Sequence, residues 1–168
     1  MCPMRIDPEP WRKLSEALAG HLTARARGLL ASEFVLMDSE GAQIGRLEMH
    51  GPEGADLRAG NAEARIERAG RSSYRMLSSG AEILASTGDA TSPEITSQNH
   101  PYAAKLSILR NTAEAGQAES NPTIRIKGGL TNRNYEASFE PGEEGSLPVA
   151  LFLLYRLVAL RREAYRAG

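Results

Sequence analysis

The chain has a single cysteine, Cys2, so no internal disulfide can form and no thiol pair is there to bind zinc. Aromatic residues make up only 5%, which leaves a core to be built from aliphatic and small side chains. Lysine occurs only at Lys13, Lys105 and Lys127, so basic charge rests on arginine. Charge of one sign is missing as well. A formal net charge of −1 gives no global field toward nucleic acid or an acidic membrane, so any anion site must be local. The first thirty residues lack the basic-then-apolar order of a secretion signal, and no apolar segment precedes Cys2 as in a lipoprotein. The expected compartment is therefore the cytoplasm. What remains is ordinary: 168 residues, 41% hydrophobic and 24% charged, which suits one domain with a proper core.

Trp11, Leu14, Leu18 and Leu22 recur at three- and four-residue steps, the stripe of an amphipathic helix. Pro8 and Pro10 suit its start and Gly28 its stop. Residues 1–30 are thus expected to be a helix packed outside the domain formed by residues 31–168. From Glu33 to Glu140 the pattern becomes short alternating runs broken by Gly, Asn, Pro and Ser. Ala62, Ala64 and Ile66 share one face, as do Ala104, Leu106 and Ile108, and Tyr135, Ala137 and Phe139. Thr112–Pro122 reads as an exposed loop. Eight or more strands with frequent turns and no helices between them predict a mainly β, antiparallel sandwich or barrel.

The segment Leu147–Leu160 is apolar on every side, so it must be enclosed by protein or by lipid. At about 1.5 Å per residue it spans roughly 21 Å, against roughly 30 Å of bilayer core. Arg156 also interrupts the run. Both favour a helix over about 146–165 buried in the domain, with Phe152 and Leu153 deepest. Ser146 is its expected N-cap, and Pro148 is tolerated in the first turn. Arg156 then needs a carboxylate, several carbonyls or an exit through a barrel mouth, or it serves as a hook for a ligand.

Phe34-Val-Leu-Met-Asp38 with Gly41 and Ile44-Gly45, then Tyr135-Glu-Ala137, then Leu147–Leu160 follow one another in an order that resembles the tubby C-terminal-like superfamily, which includes phospholipid-scramblase-like and LURP-one-related proteins. The resemblance covers roughly Phe34 to Tyr165. It implies a closed antiparallel β-barrel around a buried hydrophobic C-terminal helix. It carries no functional residue onto this chain.

One segment has the character of a site. Arg125, Lys127 and Arg133 supply charge around Gly128 and Gly129, with Thr131 and Asn132 as hydrogen-bonding groups. The same residues suit a hairpin loop, where Gly and Asn are ordinary turn formers. Arg161, Arg162 and Arg166 form a second basic cluster, able to touch anionic lipid or simply to end the helix in solvent. His21, placed on the first helix, and His50 and His100 stand in no metal-ligand spacing, and no catalytic motif is present. The expectation is a non-catalytic cytoplasmic binding domain for a small anionic ligand or a phospholipid surface. It would be peripheral to a membrane rather than spanning it, and would use no cofactor or metal. The alternative is a structural or protein–protein interaction module that forms a homodimer through the N-terminal helix.

Overall fold

Period-two alternation governs most of the chain, and a computed structural model turns it into a barrel. The structure describes residues 8–28, 32–117 and 121–167; Cys2 and the expected 30/31 boundary lie outside them. Helix α1 (Glu9–Leu18) comes first. Strands β1 (His21–Arg27), β2 (Glu33–Met37), β3 (Gln43–Met49) and β4 (Gly54–Ala59) follow. Next come β5 (Ala62–Arg68), β6 (Tyr74–Ser78), β7 (Ala81–Asp89) and β8 (Ser92–Ser97). The last four are β9 (His100–Ser107), β10 (Thr112–Gly116), β11 (Ile124–Gly128) and β12 (Asn134–Ser138), and helix α2 (Ser146–Ala167) ends the chain. Each strand pairs antiparallel with the next, and β1 pairs with β12, His21 opposite Ser138, so the sheet closes.

Many inward positions are small. Ala24, Ala26, Ala55, Ala59, Ala64 and Ala115 all point into the barrel and are buried. Small inner side chains leave a wide lumen, and α2 fills it. From Ser146 to Arg161 every residue of α2 is buried, Phe152 and Leu153 completely so. Burial on all faces explains why the segment has no polar side. The outer wall is the reverse: Arg25, Arg46, Glu48, Arg58, Glu63 and Arg65 stand there. That is polar outside and apolar inside, the opposite of a membrane-spanning barrel. No described helix is long and apolar enough to cross a membrane.

Two expected elements differ. The first helix was expected to run to Gly28, but it stops at Leu18. Ala19 takes a left-handed conformation, and a Cβ on Gly20 would meet the Phe139 carbonyl oxygen at 2.8 Å. Leu22 and His21 therefore belong to β1, whose Leu22, Ala24 and Ala26 face inward. What remains of the helix lies across one barrel mouth. Trp11 Nε1 donates to Ser78 Oγ at 3.1 Å and Ser15 Oγ to the Pro141 carbonyl at 3.3 Å. Trp11, Leu14 and Leu18 are buried there, so the apolar stripe is spent on the chain's own barrel. The expected loop at Thr112–Pro122 begins with strand β10, whose Ala113 and Ala115 are too small to mark a strand by hydrophobicity.

Ser146 also works differently from an N-cap. The Gly145 carbonyl accepts from Val149 N, while Ser146 Oγ accepts from Glu140 N at 3.1 Å, tying the helix start to the preceding loop. Ser97 Oγ donates to the Gly145 carbonyl at 2.8 Å and fixes the same junction to β8. This is the entry end of the barrel, where α2 goes in beneath α1. The opposite, exit end carries the connections at 50–53, 69–73, 90–91, 108–111 and 129–133, and the last turns of α2.

Candidate functional site

The two basic segments meet at the exit end. Arg161 is 7% exposed, and its guanidinium is a clamp. Nε donates to Asn132 Oδ1 at 2.7 Å, Nη1 to the Ile108 carbonyl, and Nη2 to the Tyr165 hydroxyl at 3.1 Å. Asn111 joins the same network, its Nδ2 donating to the Gly129 carbonyl at 3.1 Å and to Asn132 Oδ1 at 3.2 Å. Asn111 and Asn132 both sit at positive φ, at 55° and 58°, where asparagine is tolerated better than other side chains. The β9–β10 turn, the β11–β12 loop and the end of α2 are thereby locked into one platform.

Gly128 is explained by what replaces its side chain. A Cβ there would lie 1.9 Å from Asn111 Nδ2 and 2.7 Å from Tyr135 Cε1. The Gly128 N–H donates to the Asn111 carbonyl and the Gly129 N–H to the Asn134 carbonyl, both at 2.8 Å. The first extends the β10–β11 pairing and the second closes the β11–β12 hairpin, so both amides are spent and any anion held here is held by side chains. Behind them, the Tyr135 hydroxyl and Asn111 Oδ1 are buried with no hydrogen-bond partner among the described residues. Burial pushes the Tyr135 phenol above its ordinary range, while Asn111 and the positive charges of Arg161 and Arg162 pull it back. Burial lowers the Arg162 guanidinium from its usual value, and Arg166 nearby acts in the same direction. Arg162 lies over the Phe34 ring, 5.7 Å from its centroid.

The remaining sequence-picked residues divide. Arg133 Nη2 donates to the carbonyls of Ala26, at 3.3 Å, and Gly28, at 3.0 Å, tying the loop to β1. Thr131 is exposed in the loop, and Arg166 is exposed on α2. Arg125 and Lys127 stand on the outer wall of β11, opposite Glu114 and Glu136 on the neighbouring strands, and do not converge on the platform. Arg156 is 6% exposed, and its partner is neither a carboxylate nor a carbonyl. It stacks on Tyr74, 4.2 Å from the ring centroid, and donates to the Tyr74 hydroxyl at 3.0 Å. Tyr74 in turn donates to the Pro52 carbonyl and Tyr155 to the Gly51 carbonyl, both at 2.7 Å. Arg156 thus points toward the exit mouth.

Charge is separated along the barrel axis. The exit-end connections and the last turns of α2 carry Arg71, Arg110, Arg133, Arg161, Arg162 and Arg166 against Glu53 and Glu163. The entry-end connections carry Asp38, Glu40, Glu140, Glu143 and Glu144, while α1 balances Glu9 and Glu16 with Arg12 and Lys13. The clamps on Arg133 and Arg161 are carbonyl, amide and hydroxyl oxygens, which fix a guanidinium without neutralising it. A net charge near zero conceals this polarity.

A second cluster escaped the sequence reading. Glu48 lies near the end of β3 and His50 just after it, and Asp56 lies opposite Glu48 on β4; their ligand atoms lie within 4.8 Å of one another. The signal was the Glu48-x-His50 spacing, which needed the strand pairing to gain its third member. Asp56 is already engaged by His50 Nε2 at 2.8 Å and Arg65 Nε at 3.1 Å. The hydrogen bond from His50, then that from Arg65, holds Asp56 below its ordinary value against desolvation. A cation there would have to break the hydrogen bonds that Asp56 accepts from His50 and Arg65, so the exposed cluster stands as a hydrogen-bonded network.

No protein-family model matches the chain, and no curated protein matches it. Among solved structures, a protein from Arabidopsis thaliana superposes with a TM-score of 0.55 at 10% identity, over 86% of this chain and 91% of the other. What the two share is a fold: this chain is a closed antiparallel β-barrel threaded by its own C-terminal helix.

Proposed function

We propose that the protein is a non-catalytic binding domain that takes an anionic ligand at the exit end of the barrel. The observation that carries this reading is the charge separation, with arginines held by neutral oxygens at one end and carboxylates gathered at the other. Arg133 and Arg161, held by neutral oxygens, keep positive charge at this rim, and Arg110, Arg162 and Arg166 beside them carry guanidinium groups suited to phosphate and carboxylate oxygens. The fold likeness and the barrel-around-helix architecture support placing the chain with the tubby C-terminal-like proteins, as the sequence resemblance implies, and a cytoplasmic setting agrees with that placement.

Titrating the isotopically labelled protein with tripolyphosphate, with the arginine Nε–Hε signals followed by NMR, tests the reading. Saturable shifts confined to Arg110, Arg162 and Arg166, lost at high salt and in R162Q/R166Q, are expected. Shifts spread evenly over Arg25, Arg46 and Arg58 of the wall, or none at all, would remove it.

A further inference from the structure

The described residues include two leucines left almost wholly in solvent. Leu109 is 93% exposed in the β9–β10 turn, and Leu130 is 102% exposed in the β11–β12 loop. The two connections are neighbours around the exit rim, because only β10 and β11 stand between them. Both tips are held rather than loose. The Ile108 carbonyl, next to Leu109, accepts from Arg161, and the Gly129 carbonyl, next to Leu130, accepts from Asn111. Arg110 follows Leu109 directly, and Arg133, Arg162 and Arg166 stand around the same rim. The tips pack on nothing in their own chain, so folding alone does not account for them.

The opposite end of the barrel carries a complement. Between α1 and the 139–145 connection lies a cleft of about 260 Å³, whose walls include Trp11, Pro141, Leu147 and Pro148. A cavity of about 150 Å³ already admits a benzene ring, so this one has room for a leucine side chain. Glu143 and Glu144 also line it, and Glu144 keeps 60% of its side chain exposed, with His100 Nε2 3.6 Å away. Arg12 is there too, but its charge is met by Glu9 and by Glu16 at 3.4 Å. Glu140 adds another exposed carboxylate in the same connection. One end is therefore apolar tips among arginines, and the other is an apolar cleft among carboxylates.

We infer that the protein associates head to tail with further copies of itself, the leucine tips of one seated in the entry-end cleft of the next and its rim arginines on Glu143 and Glu144. The inference rests on the anion-binding reading above and takes the neighbour's carboxylates as the anion. Rim against rim would oppose two basic surfaces, and cleft against cleft two acidic ones, so like charge disfavours both symmetric pairings. Unlike ends attract. Because the two faces lie at opposite ends of the barrel, the contact cannot close at two copies and continues into a row or a larger ring. This differs from a dimer through α1, whose apolar stripe is buried on its own barrel. The end of a narrow barrel gives a small interface, below about 1,200 Å² in total, so the association is weak and sensitive to concentration and salt.

Sedimentation equilibrium of the full chain at low salt, up to about 1 mM, tests this. The mass of the wild type is expected to climb with concentration past that of a dimer, and to return to the monomer at high salt. Two variants each disable one end. L109S/L130S alters only exposed side chains, and Gly142→Arg places a cation beside the cleft where a Cβ meets nothing within 4 Å. Both should keep the wild-type circular dichroism spectrum, and L109S/L130S should keep its tripolyphosphate shifts. Self-affinity should fall about tenfold or more in each. Mixed in equal amounts they should form dimers and stop there, because each retains the end that the other lacks. A wild type that stays monomeric or halts at the dimer, a variant that associates like the wild type, or a mixture that stays monomeric overturns the inference. If tripolyphosphate shifts the arginines of a wild type that does not assemble, self-association falls and the anion-binding reading stands. If neither is seen, both fall.

Discussion

Arg161 Nε donates to Asn132 Oδ1 across 2.7 Å, joining a residue inside the last helix to one in the loop between the last two strands. The bond makes the end of α2 part of the rim rather than a tail. Replacing Arg161 with Gln should lower unfolding stability by about 2–3 kcal/mol, since buried oxygens at Asn132 and Ile108 lose a charged donor. Urea unfolding checks this. A midpoint unchanged from wild type would show that the rim does not depend on the clamp.

Gly128 leaves room for Asn111 and the Tyr135 ring, so Gly128→Ala should destabilise by about 1–3 kcal/mol through overpacking. The partner side chain makes a sharper test. In an Asn111→Ala background the penalty should shrink, giving a non-zero coupling in a double-mutant cycle. Additive losses would place the strain elsewhere.

Tyr135, Tyr155 and Tyr102 are all buried to some degree, and burial pushes each phenol above its ordinary value of about 10. The folded chain then holds these protons more tightly than the unfolded chain. Stability is complete below about pH 10 and falls as pH rises beyond it. Tyrosinate absorbance at high pH should appear together with loss of the circular dichroism signal. Ionisation of these three phenols in a still-folded chain would contradict the burial argument.

Trp11 is the chain's single tryptophan, and it lies buried between α1 and the entry mouth. Trp11→Ala should cost about 3–5 kcal/mol. In the wild type its emission should be blue-shifted and move red in the same transition that melts the strands. A red shift at lower urea would show the lid opening before the barrel.

The apolar helix and the inward faces of most strands were legible because a side chain's period reports what surrounds it. Leu147–Leu160, apolar all round, could only be enclosed, and Ala62-x-Ala64-x-Ile66 could only be a one-sided strand. β1 was obscured because Leu22 continues the spacing of Leu14 and Leu18, and alanine serves a helix as readily as a strand lining a crowded lumen. Of the candidate site, the two basic segments could be picked by charge. Their meeting could not, because it depends on α2 ending beside the β11–β12 loop, a matter of barrel height against helix length. The exposed state of Leu109 and Leu130 was hidden for the same reason, since a leucine in sequence carries no mark of which way its turn projects.

A barrel closed between β1 and β12 around a helix that follows both has an order of events built into it. During synthesis the wall can meander from hairpin to hairpin, but its last seam joins His21 to Ser138, residues from the first and last strands of the barrel. The filling that gives the inner alanines something to pack on leaves the ribosome after all of these strands. Nascent chains should therefore wait, open and protease-sensitive, until α2 is released, and then close in one slow step governed by long-range contacts.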